Sequence, residues 1–159
     1  MRIRFAERRD IPSILGFING LAVYEHMEDQ VVATEALLDT WLFEKKKAEV
    51  LLVEDEEAGR DVGFALFFHN FSTFLGRAGI YLEDLFVQPE FRGKGYGKAL
   101  ITRLASIAVE RGCGRLEWSC LDWNEPSITF YKSLGAVPMD GWTVYRVTGK
   151  RLLELGKGE

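Results

Sequence analysis

Residues that would mark out a metal site or a disulfide scaffold are scarce in this chain. Two cysteines, Cys113 and Cys120, and two histidines, His26 and His69, stand in 159 residues. So few and so scattered, they provide neither a disulfide framework nor the Cys/His spacing of a zinc site. The cysteines read as small apolar residues of a reducing compartment, and the histidines as local hydrogen-bonding groups. No apolar run approaches the roughly 18 residues needed to cross a bilayer. The opening MRIRFAERRD also lacks an apolar segment of the signal-peptide kind. Basic excess is missing too. The formal net charge of -4 argues against a dedicated nucleic-acid binder, whose affinity rests on neutralising phosphates. These absences leave the expectation of a cytoplasmic protein with no metal, membrane or nucleic-acid partner.

What is present is ordinary foldable composition, 47% hydrophobic and 28% charged, in a length that suits one domain over 1–159. No internal repeat or low-complexity linker interrupts it. MRIRFAE alternates as a strand does, and Asp10 stands where a helix cap would, with Pro12 in the first turn. Thr34 is a second candidate cap, followed by the apolar stripe Leu37, Leu38, Trp41 and Leu42. AEVLLVEDEEAGRDVGFALFFHNF reads as two strands around a turn at Gly59, residues 70–76 as a loop, and GIYLEDLFVQPE as a third strand. These three make an antiparallel meander. A helix with Leu100, Ile101 and Leu104 on one side ends near Gly112, and RLEWSCL alternates again. A strand, helix and strand in that order form a crossover, so its two strands should be parallel. Asn124 then caps a helix carrying Ile128, Tyr131 and Leu134, WTVYRV gives a final strand, and LLELGKGE a loosely held tail. The order implies a mixed α/β or α+β domain rather than a doubly wound sheet.

Glycines 93, 95 and 97 in FRGKGYGKAL lie just where the helix must begin. A Walker A loop is a weak match because Lys98 is followed by Ala99 and not by a hydroxyl residue. A dinucleotide fingerprint is equally weak, given the spacing of two between glycines. What remains is R-x-x-G-x-G, formed by Arg92, Gly95 and Gly97. Its helix-start amides would suit a diphosphate, with Arg92 and Lys94 adding positive charge. A glycine-rich turn with no ligand fits the spacing too.

Glu83 and Asp84 interrupt an apolar strand. Strict alternation sets Glu83 with Tyr81, Leu85 and Val87, and Asp84 with Leu82 and Phe86, on opposite faces where they cannot act as one pair. Burial would raise the pKa of either and suit it to collecting a proton. Tyr131 reads either as a core tyrosine or as a general acid beside a departing thiolate.

Three segments, YEHMEDQV at 24–31, YLEDLFVQPEFRGKGYGKAL at 81–100 and LDWNEPSITFYKSLGA at 121–136, resemble the GCN5-related N-acetyltransferases (GNAT). Together they are similar to the diamine acetyltransferase branch, which holds the spermidine/spermine and thialysine enzymes. The resemblance implies a twisted, mostly antiparallel mixed sheet flanked by helices and splayed between its fourth and fifth strands. Acetyl-CoA would wedge into that opening. The backbone of Leu85, Phe86 and Val87 would hold the pantetheine arm, and the turn of Arg92, Gly93, Lys94, Gly95, Tyr96, Gly97 and Lys98 the diphosphate. Asn124, Ser127 and Tyr131 would contact the cofactor from the other side. Glu83 matches the general base of the branch and Tyr131 its general acid, acting in direct acyl transfer.

Glu25, Glu28, Asp29, Ser72, Glu83 and Asp84 match acceptor-binding positions. Ser72 departs from the acidic residue of the spermidine enzymes, which favours a small lysine- or thialysine-like primary amine over a long polyamine. Diamines, a protein lysine or N-terminus, and a non-catalytic acyl-CoA module stay open. The resemblance also implies an intimate homodimer, with Trp123, Trp142 and Tyr145 as large groups near the C-terminal strands.

Overall fold

Five strands lie in chain order across one sheet in the computed structural model, which describes all of residues 1–159. They are β1 (Arg2–Phe5), β2 (Glu49–Asp55), β3 (Arg60–Ser72), β4 (Arg77–Val87) and β5 (Leu116–Trp118). The first four pair antiparallel, and β5 joins β4 in parallel after the crossover helix α3 (Tyr96–Glu110). The meander and the parallel crossover are thus as the sequence order requires. The chain divides into two compact units, Met1–Ser119 and Cys120–Glu159.

In the first unit, α1 (Ile11–Tyr24) and α2 (Glu35–Leu38), which runs on into a π-helical turn (Asp39–Glu44), cover one sheet face. Thr34 caps α2 through its hydroxyl, which accepts the Leu37 N–H at 3.2 Å. Period-2 residues of the strands meet period-3.6 residues of the helices in a buried cluster of Ile14, Phe17, Leu42, Val50, Leu52, Phe64 and Phe86. Phe17 stacks on Phe64 with ring centroids 5.6 Å apart. At Gly20, α1 comes so near β4 that a Cβ would lie 2.8 Å from the Phe86 ring. The other sheet face packs against α3, whose Leu100, Leu104 and Ile107 are buried.

Several expectations need correction. Asp10 occupies the N-cap position of α1 without bonding that helix. Its carboxylate is taken instead by the Arg4 guanidinium, at 2.7 and 3.0 Å, and by the Glu7 N–H at 2.7 Å. A bidentate charge-assisted pair outcompetes a single cap bond. Residues 70–76 are not all loop, because the β3–β4 ladder continues to Ser72 opposite Arg77. Cross-strand pairing, which local composition does not report, decides that boundary.

The second unit contains α4 (Glu125–Ser133) and α5 (Gly149–Gly156). No strand forms between Ala136 and Thr148, although WTVYRV alternates. Alternation makes a strand only where a neighbour supplies the ladder's hydrogen bonds. The tail is ordered as α5, with Glu154 3.6 Å from both Lys150 and Arg151.

Candidate active site

The β3–β4 ladder slips by one residue beside Glu83. Leu66 faces Asp84, whereas its neighbour Phe67 faces Leu82, so Glu83 is an extra residue without a partner. Cross-strand partners share a face. Leu66 packs with the α1-side cluster, which places Asp84 on that side. Leu82, paired with Phe67, lies on the α3 side, and one step of alternation returns Glu83 to the α1 side. The two carboxylates therefore share a face, contrary to the expectation from strict alternation. The sequence pattern cannot show an inserted residue.

Glu25 joins them electrostatically as the C-cap of α1, carried toward β4 by the close approach at Gly20. Burial pushes the Asp84 carboxyl up to about 6, and the negative charges of Glu83 and Glu25 add to the rise. Burial raises Glu25 as well. Glu83 itself is exposed, so it can meet a ligand from solvent. A cluster of this kind attracts a cation and, once one binds, regains its own negative charge.

Beside the carboxylates β4 has a bare edge. β5 pairs only with Ile80, Tyr81 and Leu82. From Glu83 to Val87 the β5 side of β4 has no strand partner, so backbone groups of Leu85 and Phe86 are available for an extended ligand arm. The expected splay thus begins at the inserted residue.

The chain then turns into α3. Gly93 has φ +77 and Gly95 φ +87, conformations that side chains rarely adopt. Gly95 is the N-cap of α3, and no side chain caps the helix. The first amides of α3, including those of Gly97 and Lys98, have no acceptor within the helix. Gly97 is different from the other two glycines. It is helical, and a Cβ there would meet nothing within 4 Å. Neither conformation nor packing requires a glycine there.

The Arg92 side chain turns back to hold the loop. Its Nε donates to the Val87 carbonyl at 2.9 Å, and its guanidinium lies 4.7 Å from the Tyr24 ring and 5.5 Å from the Phe86 ring. Lys94 and Lys98 are exposed beside the turn. A groove runs on along α3 past Lys98, Thr102, Arg103 and Ser106.

Other expected residues lie elsewhere. Glu28 and Asp29 are exposed in a short helical turn, Glu28–Gln30, beyond α1. Ser72 is buried at the far end of the β3–β4 hairpin, opposite Arg77, and its Oγ accepts the Leu75 N–H at 3.2 Å. Six residues of β4 separate that end from Glu83, roughly 20 Å at strand rise. The chain does not bring Ser72 to the carboxylates, and its hydroxyl serves the turn.

In the second unit, Asn124 is the buried N-cap of α4, and its Oδ1 accepts the Ser127 N–H at 3.4 Å. Tyr131 is half-buried in α4, its ring 5.5 Å from that of Phe130.

Residues 20–136 match the acetyltransferase (GNAT) family model. The thialysine N-epsilon-acetyltransferase of Bos taurus is 38% identical, over 96% of this chain and 95% of its own length. The L-ornithine N5-acetyltransferase NATA1 of Arabidopsis thaliana is 32% identical, over 98% of this chain and 88% of its own. Among solved structures, the integron cassette protein VCH_CASS6 from the mobile metagenome of V. cholerae superposes with a TM-score of 0.81 at 29% identity, covering 98% of this chain and 97% of its own.

Two outcomes follow from this geometry without any ligand. Gly95→Ala lowers stability by about 1 kcal/mol because of its φ, while Gly97→Ala raises it by about 0.5–1 kcal/mol, both read by urea unfolding. The second concerns Asp84, whose value of about 6 lies above the ordinary 3.8. The folded chain then binds more protons than the unfolded one between those values, so Asp84 lowers stability as pH rises through that window. Asp84→Asn therefore stabilises the fold above pH ~6, and the gain fades as pH falls, vanishing below pH ~3 where both states of the native carboxyl are protonated. Equal stabilisation at all pH values would contradict the burial of a charged Asp84.

Proposed function

Because the chain belongs to the acetyltransferase (GNAT) family, we propose that it transfers an acetyl group from acetyl-CoA to the side-chain amine of a small, lysine-like α-amino acid. Acetyl transfer to an amine is the family activity, which sets aside a non-catalytic module. The lysine-like acceptor is the inferred part. The observation that carries it is the clustering of Glu83, Asp84 and Glu25 next to the bare edge of β4. Thialysine and ornithine, named for two relatives, are amino acids with a terminal amine. A single acidic cluster suits so short an acceptor, with one terminal ammonium to hold. A polyamine would need a distant anion as well, and Ser72 is both uncharged and turned inward.

Acetyl-CoA supplies the acetyl group as a thioester. Backbone groups of Leu85, Phe86 and Val87 fit its extended arm as an added strand, and the amides from Gly93 to Lys98 fit its diphosphate. Asp84 and Glu25 hold the cationic acceptor. Glu83, exposed beside them, takes the proton that the attacking ammonium must lose, directly or through a water. Tyr131 donates its phenolic proton to the leaving sulfur, and Asn124 and Ser127 line the cofactor side of α4. Orienting both reactants removes much of the entropy cost of their meeting. No covalent enzyme intermediate is needed. The family match runs across the junction at residue 120, which supports one catalytic domain over 1–159.

A homodimer belongs to the same reading. Trp142 is 82% exposed and Tyr145 91% exposed in the stretch that makes no strand. Large aromatic side chains so exposed suit burial against another chain, and a second copy would cover them. No helix is long and apolar enough to cross a membrane, and both cysteines are free thiols, which fits a cytoplasmic enzyme.

Steady-state kinetics on an acceptor panel test the assignment. Thialysine, lysine or ornithine should exceed spermidine in kcat/KM, and a spermidine preference would reverse the choice. Asp84→Asn should raise the acceptor KM, and Glu83→Gln should lower kcat about 100-fold. Tyr131→Phe should slow turnover and leave coenzyme A affinity unchanged. Sedimentation at micromolar concentration should give about twice the chain mass of 18.1 kDa; a monomer would refute the dimer.

A further inference from the structure

We propose that Asp55 and Tyr96 form a positioning pair, which fixes the first turn of α3 so that its amides are already arranged for the diphosphate of the donor. This rests on reading that turn as the cofactor cradle. Tyr96 is the first residue of α3 and Asp55 the last of β2, 41 positions apart in the chain. Both are only 7% exposed. The Tyr96 hydroxyl donates to Asp55 Oδ2, and Asp55 Oδ1 accepts the Ala58 N–H at 2.7 Å. Each carboxylate oxygen thus has a donor, and the acceptor is itself fixed by the β2–β3 turn. The Tyr96 ring meets Phe91 edge-on, with centroids 6.4 Å apart at 70°. One side chain therefore ties together the end of β2, the turn after β4 and the start of α3.

The loop needs such a tie. Gly93 and Gly95 both sit at positive φ, and neither offers a side chain to anchor. A glycine-rich loop left free must be ordered each time a ligand binds, at the expense of affinity. Arg92 pins one end through the Val87 carbonyl, and Tyr96 pins the other through Asp55.

The hydrogen bond holds Asp55 below the usual carboxylate range and pushes Tyr96 up to about 12. The pair therefore stays as carboxylate and phenol throughout the neutral range, and its part is geometric rather than a proton transfer. Charge alone predicts the reverse of positioning. Asp55 is an anion coupled to Lys94 of the cradle, so removing its charge should by electrostatics favour a bound diphosphate.

Isothermal titration with coenzyme A, together with kinetics on acetyl-CoA and on S-acetylpantetheine, which lacks the diphosphate, tests the pair in the full chain. Tyr96→Phe keeps the ring and removes only the hydroxyl. It should raise the coenzyme A Kd about five- to tenfold and the acetyl-CoA KM in step. The loss in kcat/KM should be several-fold larger with acetyl-CoA than with S-acetylpantetheine, and should lie in KM rather than kcat. Asp55→Ala should weaken coenzyme A binding despite losing a negative charge. Asp55→Asn, which can still bond both Ala58 and Tyr96, should lose less. Should Tyr96→Phe fail to fold, the ordering of the two Asp55 variants carries the same test. Unchanged coenzyme A affinity, tighter binding on loss of the Asp55 charge, or equal losses with both donors would overturn the proposal. A native protein that binds no coenzyme A would remove the cradle reading itself, before any variant is compared.

Discussion

The arrangement of the first unit turns on a single extra residue in one hydrogen-bonded ladder. An antiparallel pair tolerates such an insertion by leaving one residue unpaired and increasing the local bend and twist. Here the unpaired residue is Glu83, and the pairing of β4 with β5 stops at Leu82, immediately before it. A bent strand does not stay in register with a straight neighbour. The insertion therefore does two things together: it turns Glu83 and Asp84 to one face, and it leaves β4 from Glu83 to Val87 open along one edge. The acidic cluster and the open backbone edge share one origin.

Around that point the charges are divided. Glu83, Asp84 and Glu25 gather on the α1 side of the sheet, and the cost of holding them appears as the raised carboxyl of Asp84. The start of α3 presents bare amides with Lys94 and Lys98 beside them. Charge of one sign suits a cation and of the other an anion, so the short stretch of residues 83–98 carries two electrostatically opposite surfaces. Arg92 shows that positive charge is also used internally: its guanidinium lies over the Tyr24 and Phe86 rings and braces the turn.

The glycines of that turn have different reasons. Gly93 and Gly95 are required by backbone conformation, as any ligand-free tight turn might require them. Gly97 is helical with open space where a side chain would be. Alanine would serve the isolated fold better there, so the fold by itself does not call for a glycine at that position.

Much of this protein was legible in its sequence. Alternation and helical period located β2, β3, β4, α1 and α3, and their order required an antiparallel meander followed by a parallel crossover, because a helix between two strands returns the chain in the same direction. The R-x-x-G-x-G spacing located the turn that opens α3, and Thr34 and Asn124 were recognisable caps because a hydroxyl or amide before a helical run has one obvious bonding partner. Local chemistry settles such features. The tertiary structure alone decided those that depend on a partner distant in the chain. The ladder slip reversed the facing of Asp84, Arg4 drew Asp10 away from its helix, and Ser72 went to the far end of a hairpin. WTVYRV found no ladder, and Asp55 met Tyr96 across 41 residues. A sequence states which bonds each residue can make; only the folded chain states which competing partner arrives within reach.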